Sequence, residues 1–169
     1  DESVAVAHAF SQLAAEYPGF RIHALKAPAT LDGGDVLQMD DRVFIGLSER
    51  TNAEALQQVK DLLPNRKVIG IPVGAGLHLK SVLSAIDDHI LIAADNPGSR
   101  KMAEAILSEL AEGSRCLFVP DNVAANVLRL DQTLLMQAAY PQSEKLIRQA
   151  TDRLGLKLET IDMSELVKA

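Results

Sequence analysis

Residues Asp35 to Leu47, "DVLQMDDRVFIGL", fall into two apolar runs, "DVLQM" and "RVFIGL", on either side of a tight turn at Asp40 and Asp41. That pattern signals a β-hairpin. A helix is expected next. Thr51 or Asn52 offers an N-cap, and Ala55, Leu56, Val59, Leu62 and Leu63 recur at helical spacing until Pro64 and Asn65 break the pattern. The short run "KVIGIPV" then supplies a third strand.

The same order returns twice. "SVLSAI", a turn at Asp87 and Asp88, "HILIAA", a helix from Gly98 to Ala111 and the strand "RCLFVP" form a second copy. "NVLRL", a turn at Asp131 and Gln132, "TLLMQAA", a helix from Gln142 to Leu154 and the strand "KLETI" form a third. The turn centres lie 47 and then 44 residues apart, a period that signals a radial or stacked repeat. Ahead of the first copy, a helix over Val4 to Tyr17, closed by Pro18 and Gly19, leads into "FRIHAL", read as the strand that ends another unit. The expected organisation is one α/β domain of ββαβ modules: an αβ half over 1–28, then 29–74, 75–121 and 122–163. A ring of such modules needs a neighbour on each side, because an open edge leaves backbone groups and apolar surface uncovered. The chain therefore reads as a segment of a longer ring.

Composition narrows the function classes. Hydrophobic residues make up 47% and charged residues 24% of 169 residues, which suits a globular domain with a sizeable core. A net charge of -6 leaves no surplus of cations to displace counterions from a phosphate backbone, so nucleic acid is not an expected partner. No apolar run reaches membrane-spanning length, and no membrane partner is expected. A single cysteine, Cys116, forms no internal disulfide and fits a reducing cytoplasm.

Chemistry is expected where loops between one module's last strand and the next hairpin meet near a shared centre. "TLDGGD" and "VGAGLHLKS" are two such loops in consecutive modules, and Asn126 stands in the third. An aspartate beside a histidine fixes the imidazole tautomer and raises its basicity, which makes Asp32 and His78 the candidate catalytic pair. Asp35, Gly33, Gly34 and Asn126 are candidates for supporting the loop or lining the site, the glycines through backbone angles or close approach. Arg50 leads a helix at the end where the dipole favours anions, so a cation there fits a ligand anion. Each residue also has a plainer reading: Asp32 as a turn cap, His78 as a satisfied loop histidine, Arg50 as a solvated cation. His8, His23 and His89 show no metal-ligand spacing, and no metal or other cofactor is expected. Cys116 lies among strand residues and reads as an inert small hydrophobe. Ser81 lacks the strained elbow of an activated serine.

"TLDGGDVL", "GLSERTNAEAL", "GLHLKS", "VPDNVAANVL" and "DMSELVKA", in this order, resemble the dimethylarginine dimethylaminohydrolases of the guanidine-modifying, or pentein, superfamily. The resemblance runs over essentially the whole chain and implies a fivefold α/β propeller of ββαβ modules. It implies that Asp32 orients His78 and that Arg50, in the "S-x-R-T-N" motif, holds the substrate's α-carboxylate, a task suited to a bidentate guanidinium. The nucleophilic Cys of that family lies in a "D-G-x-x-T-C" segment expected beyond Ala169, and its guanidinium-binding acids lie in a module upstream of Asp1. The implied reaction is thiolate attack on a methylated arginine, with His78 protonating the departing amine and then activating water, to give citrulline and an alkylamine. A small guanidine is the expected partner, and a homodimer is compatible with it. Arginine deiminases and amidinotransferases share the fold but usually carry Glu at the place of Asp32. A non-catalytic binding propeller is the remaining alternative.

Overall fold

The computed structural model describes residues 2–74 and 78–164. Part of the "VGAGLHLKS" loop and the end of "DMSELVKA" lie outside the described residues. Three small sheets follow one another, each of three strands in chain order. In the first, β1 (Val36–Met39) pairs antiparallel with β2 (Arg42–Leu47), and β3 (Lys67–Pro72) returns parallel to β2. The second holds β4 (Leu83–Ala85), β5 (Ile90–Ala94) and β6 (Arg115–Val119) in the same arrangement. The third holds β7 (Leu128–Leu130), β8 (Thr133–Gln137) and β9 (Lys157–Ile161). A parallel return needs a crossover, and the helices α2 (Ala53–Leu62), α3 (Pro97–Leu107) and α4 (Pro141–Leu154) supply it.

Local chemistry sets the helix ends. Asn52 caps α2 by accepting from Ala55 N at 3.0 Å, and Asn96 caps α3 by accepting from Ser99 N at 2.9 Å. Pro97 and Pro141 occupy first-turn positions where a missing N–H costs nothing, and Gly155 ends α4 in the left-handed region. Helix α3 stops at Leu107, short of Ala111, because the chain turns there and Ser108, Glu109 and Leu110 bond back to the last helical turn.

The strands show why the modules stay together. In β2, Val43 and Ile45 pack with Val59 and Val68 under α2, while Phe44 points the other way into a core shared by all three sheets. β5 is buried at every residue, as a strand covered on both faces must be. The hairpin turns are also linked: Asp40 N donates to Asp88 Oδ1 at 2.8 Å, and Arg129 Nη1 donates to the Ile86 carbonyl at 3.2 Å. The paired turn aspartates thus serve the outer turns.

Residues 20–25, read from sequence as the strand of the 1–28 half module, form no strand. In the three complete modules the last strand pairs with the second strand of its own hairpin, and the described residues contain no hairpin ahead of α1 (Glu2–Glu16). The segment is held instead by Gln58, whose amide donates to the Lys26 carbonyl and accepts from Lys26 N, both at 2.8 Å, and by Leu25 packed against the cluster under α2. No helix among the described residues is long and apolar enough to cross a membrane.

Candidate functional site

A short 3-10 turn precedes the first strand of each module: Gly33–Asp35, Leu79–Ser81 and Val123–Ala125. Each lies at the opposite end of its strand from the hairpin turn. The residues that cap these turns are Asp32, His78 and Asn122. The repeat therefore brings Asp32 and His78 to equivalent places in adjacent modules, and the first two turns pack against each other.

Asp32 and His78 face each other. His78 Nδ1 lies 3.7 Å from Asp32 Oδ1 and also 3.7 Å from Asp35 Oδ2. The Nδ1 atom is buried and has no hydrogen-bond partner among the described residues. Asp32 Oδ2 lies 3.8 Å from Arg50 Nη1, so Asp32 stands between the imidazole and the guanidinium. The Arg50 side chain is more than half exposed, whereas the His78 side chain is 16% exposed.

Gly34 explains how the histidine fits. A Cβ at Gly34 would lie 2.7 Å from His78 Cγ, so any other residue would push the ring away. Gly33 needs correction: a Cβ there meets open space and its φ is not positive, so neither expected reason for glycine applies. Asn126 needs one too. It closes the third turn as its C-cap, its N–H donating to the Val123 carbonyl at 3.1 Å, rather than opening it as Asp32 and His78 open theirs; it is exposed and lines an apolar cleft with Leu128, Leu135 and Ile161. The position equivalent to Asp32 and His78 belongs to Asn122, whose Oδ1 accepts from Asn96 Nδ2 at 3.2 Å.

Asp35 is the residue whose weight the sequence understates. It is fully buried, and its carboxylate accepts from Ser48 Oγ at 2.6 Å, Thr51 Oγ1 at 2.7 Å and Leu79 N at 2.8 Å. Burial pushes its pKa up, but the bonds from Ser48, Leu79 and Thr51 and the nearby His78 together hold it below the usual carboxylate value. Gly46 on β2 makes the room, since a Cβ there would come within 2.6 Å of Asp35 Oδ1. A glycine within an apolar strand was the available signal, because it marks a close approach.

The "S-x-R-T-N" stretch also becomes legible. Ser48 and Thr51 turn inward to Asp35, Asn52 ties the loop to Thr30 N and the Pro28 carbonyl, and Arg50 faces solvent. Cys116 sits elsewhere, on β6, where burial outweighs the attraction of Arg100 and pushes its thiol up to about 12. A thiol so rarely ionised is a poor nucleophile. Among the described residues no group of three or more His, Cys, Asp or Glu is placed to hold a metal ion.

A protein-family model described as arginine deiminase matches residues 10–113. The N(G),N(G)-dimethylarginine dimethylaminohydrolase of Pseudomonas aeruginosa is 30% identical over 155 residues, which cover 90% of this chain and 56% of that protein. Its counterpart in Streptomyces coelicolor is 31% identical over 154 residues, covering 89% and 54%. A solved structure of the dimethylarginine dimethylaminohydrolase from Pseudomonas aeruginosa, a mutant complexed with citrulline, matches with a TM-score of 0.74 at 26% identity, over 94% of this chain and 58% of that one. The chain spans about half the length of the curated relatives it matches.

Proposed function

Because the chain belongs to the dimethylarginine dimethylaminohydrolase family of the pentein superfamily, within the reach of the arginine deiminase family model, we propose that the full-length protein hydrolyses N-methylated arginine to citrulline and an alkylamine. In this proposal a cysteine thiolate from another part of the full-length protein attacks the guanidinium carbon. The alkylamine leaves with a proton from His78, and a covalent thiouronium intermediate remains. Water, deprotonated by His78, then adds to that carbon, and expulsion of the thiolate releases citrulline. Asp32 orients the imidazole, Arg50 binds the substrate's α-carboxylate, and Asp35 and Gly34 support the loop. Cys116 takes no part. The ligand is a small guanidine, no metal or cofactor is needed, and the setting is the cytoplasm. A homodimer is the assembly to look for, by light scattering on the purified protein.

The observation that carries this reading is Asp32 standing between His78 Nδ1 at 3.7 Å and Arg50 Nη1 at 3.8 Å. One acid there serves both a base and a substrate anchor. Citrulline formation from asymmetric dimethylarginine by the full-length protein tests it. Turnover is expected, and His78→Ala is expected to abolish it. A protein that converts neither methylarginine nor arginine, or a His78→Ala variant that turns over normally, would end the enzyme reading. Arginine as the preferred substrate would move the protein to the arginine deiminase reaction, the activity after which the matching family model is described.

A further inference from the structure

The bonds around Asp35 extend beyond its own loop. Ser48 Oγ donates to Asp35 Oδ2 and accepts from Arg50 N at 3.1 Å. Thr51 Oγ1 donates to the same oxygen and accepts from Asp32 N at 3.0 Å. Asp35 Oδ1 accepts from the backbone of Leu79, the residue that follows His78. Each hydroxyl directs its one proton at Asp35 while accepting an amide, and Leu79 N can only donate, so the place of Asp35 calls for an acceptor. A carboxylate answers all three donors at once.

We propose that Asp35, with Ser48 and Thr51, is a positioning unit that sets the substrate anchor and the catalytic pair in one geometry through two separable arms. This rests on the roles proposed above for Asp32, Arg50 and His78. One arm runs from Asp35 through Ser48 to the Arg50 backbone and governs binding. The other runs through Thr51 to the Asp32 backbone and governs the chemical step, because Asp32 faces His78. Asp35 itself touches no reacting atom in this scheme. A brace that served only stability would give no reason for the two hydroxyls to differ in their kinetic effects.

Steady-state kinetics of the full-length protein on asymmetric dimethylarginine, with a melting curve for each variant, tests this. Ser48→Ala is expected to raise KM about tenfold with kcat near native, the scale of one lost hydrogen bond. Thr51→Val is expected to lower kcat about tenfold with KM near native, on the same scale. Asp35→Asn should do both, because its amide group presents donors to donors. Should Asp35→Asn not fold, the two hydroxyl variants decide the matter. The proposal is overturned if both hydroxyl variants keep native KM and kcat, or if their losses only follow the unfolded fraction. If His78→Ala is inactive while the hydroxyl variants behave as native, this inference alone falls. If His78→Ala stays active, the enzyme reading falls and takes this one with it.

Discussion

The turn at Gly33–Asp35 and the turn at Val123–Ala125 occupy the same place in their modules, yet their last residues are opposites. Asp35 and Ala125 are both fully buried. Ala125 joins the shared apolar core, while Asp35 gathers three donors around a carboxylate. The modules are also stitched differently. Leu79 N reaches back to the charged Asp35, whereas Val127 N reaches back to the neutral Ser84 Oγ at 3.2 Å. The fold does not require a charge at this turn, since Ala125 fills the same place in the third module. A buried carboxylate costs several kcal/mol of desolvation unless donors surround it, so a repeat that can do without it in one module keeps it in another for something besides folding.

The largest break in this comparison is Asp35→Ala, which gives the first turn the third turn's residue. Three donors lose their acceptor, and the unfolding free energy should fall by about 3 kcal/mol or more, read by urea unfolding. A change below about 0.5 kcal/mol, the size of a neutral surface substitution, would mean that the two turns are equivalent after all.

Next in size is the contrast within one turn. Gly34→Ala should displace the His78 ring and lower kcat about tenfold or more, since the role proposed for His78 depends on its orientation. Gly33→Ala, facing open space, should leave kcat unchanged and stability within about 0.5 kcal/mol. Equal effects at the two glycines would remove the argument for close approach.

Acid titration sharpens the comparison further. Asp35 has its pKa lowered in the folded state, so its contribution to stability is fully present above the ordinary carboxylate pKa and is lost as pH falls through the lowered folded value. Asp35→Asn should therefore flatten the acid limb of stability against pH. An unchanged limb would assign acid sensitivity to other carboxylates.

The smallest effects belong to the groups outside the polar turn. Asn122→Ala removes one exposed side-chain bond to Asn96 and should cost about 0.5 kcal/mol or less without altering turnover, whereas Asp32→Ala at the equivalent cap should cripple it. Cys116, with its thiol pushed up to about 12, should react slowly with iodoacetamide at neutral pH, and Cys116→Ala should leave kcat unchanged.

Much of the module pattern was legible because hairpins and amphipathic helices are written locally. Strand β2 and strand β9 fall where "RVFIGL" and "KLETI" predict them, since short β-prone runs and breakers such as Pro64 act within a few residues. The failure at residues 20–25 has the opposite cause. Their strand-like composition describes a capacity to pair, and pairing depends on a partner that local sequence does not supply. The site divides along the same line. Asp32, Arg50 and His78 could be singled out from their motifs, but the emptiness around Gly33, the place of Asn126 at the far end of the third turn from its N-cap and the reach of Asp35 could not.

The sequence by itself determined the ββαβ repeat, its period and the residue types at each turn, because these follow from local periodicity, capping and turn chemistry. Only the tertiary structure decided that Asp35 is the carboxylate joining Ser48, Thr51 and Leu79, and that Asp32 stands between His78 and Arg50. Those contacts join residues from separate modules and loops, and their distances depend on how the turns pack.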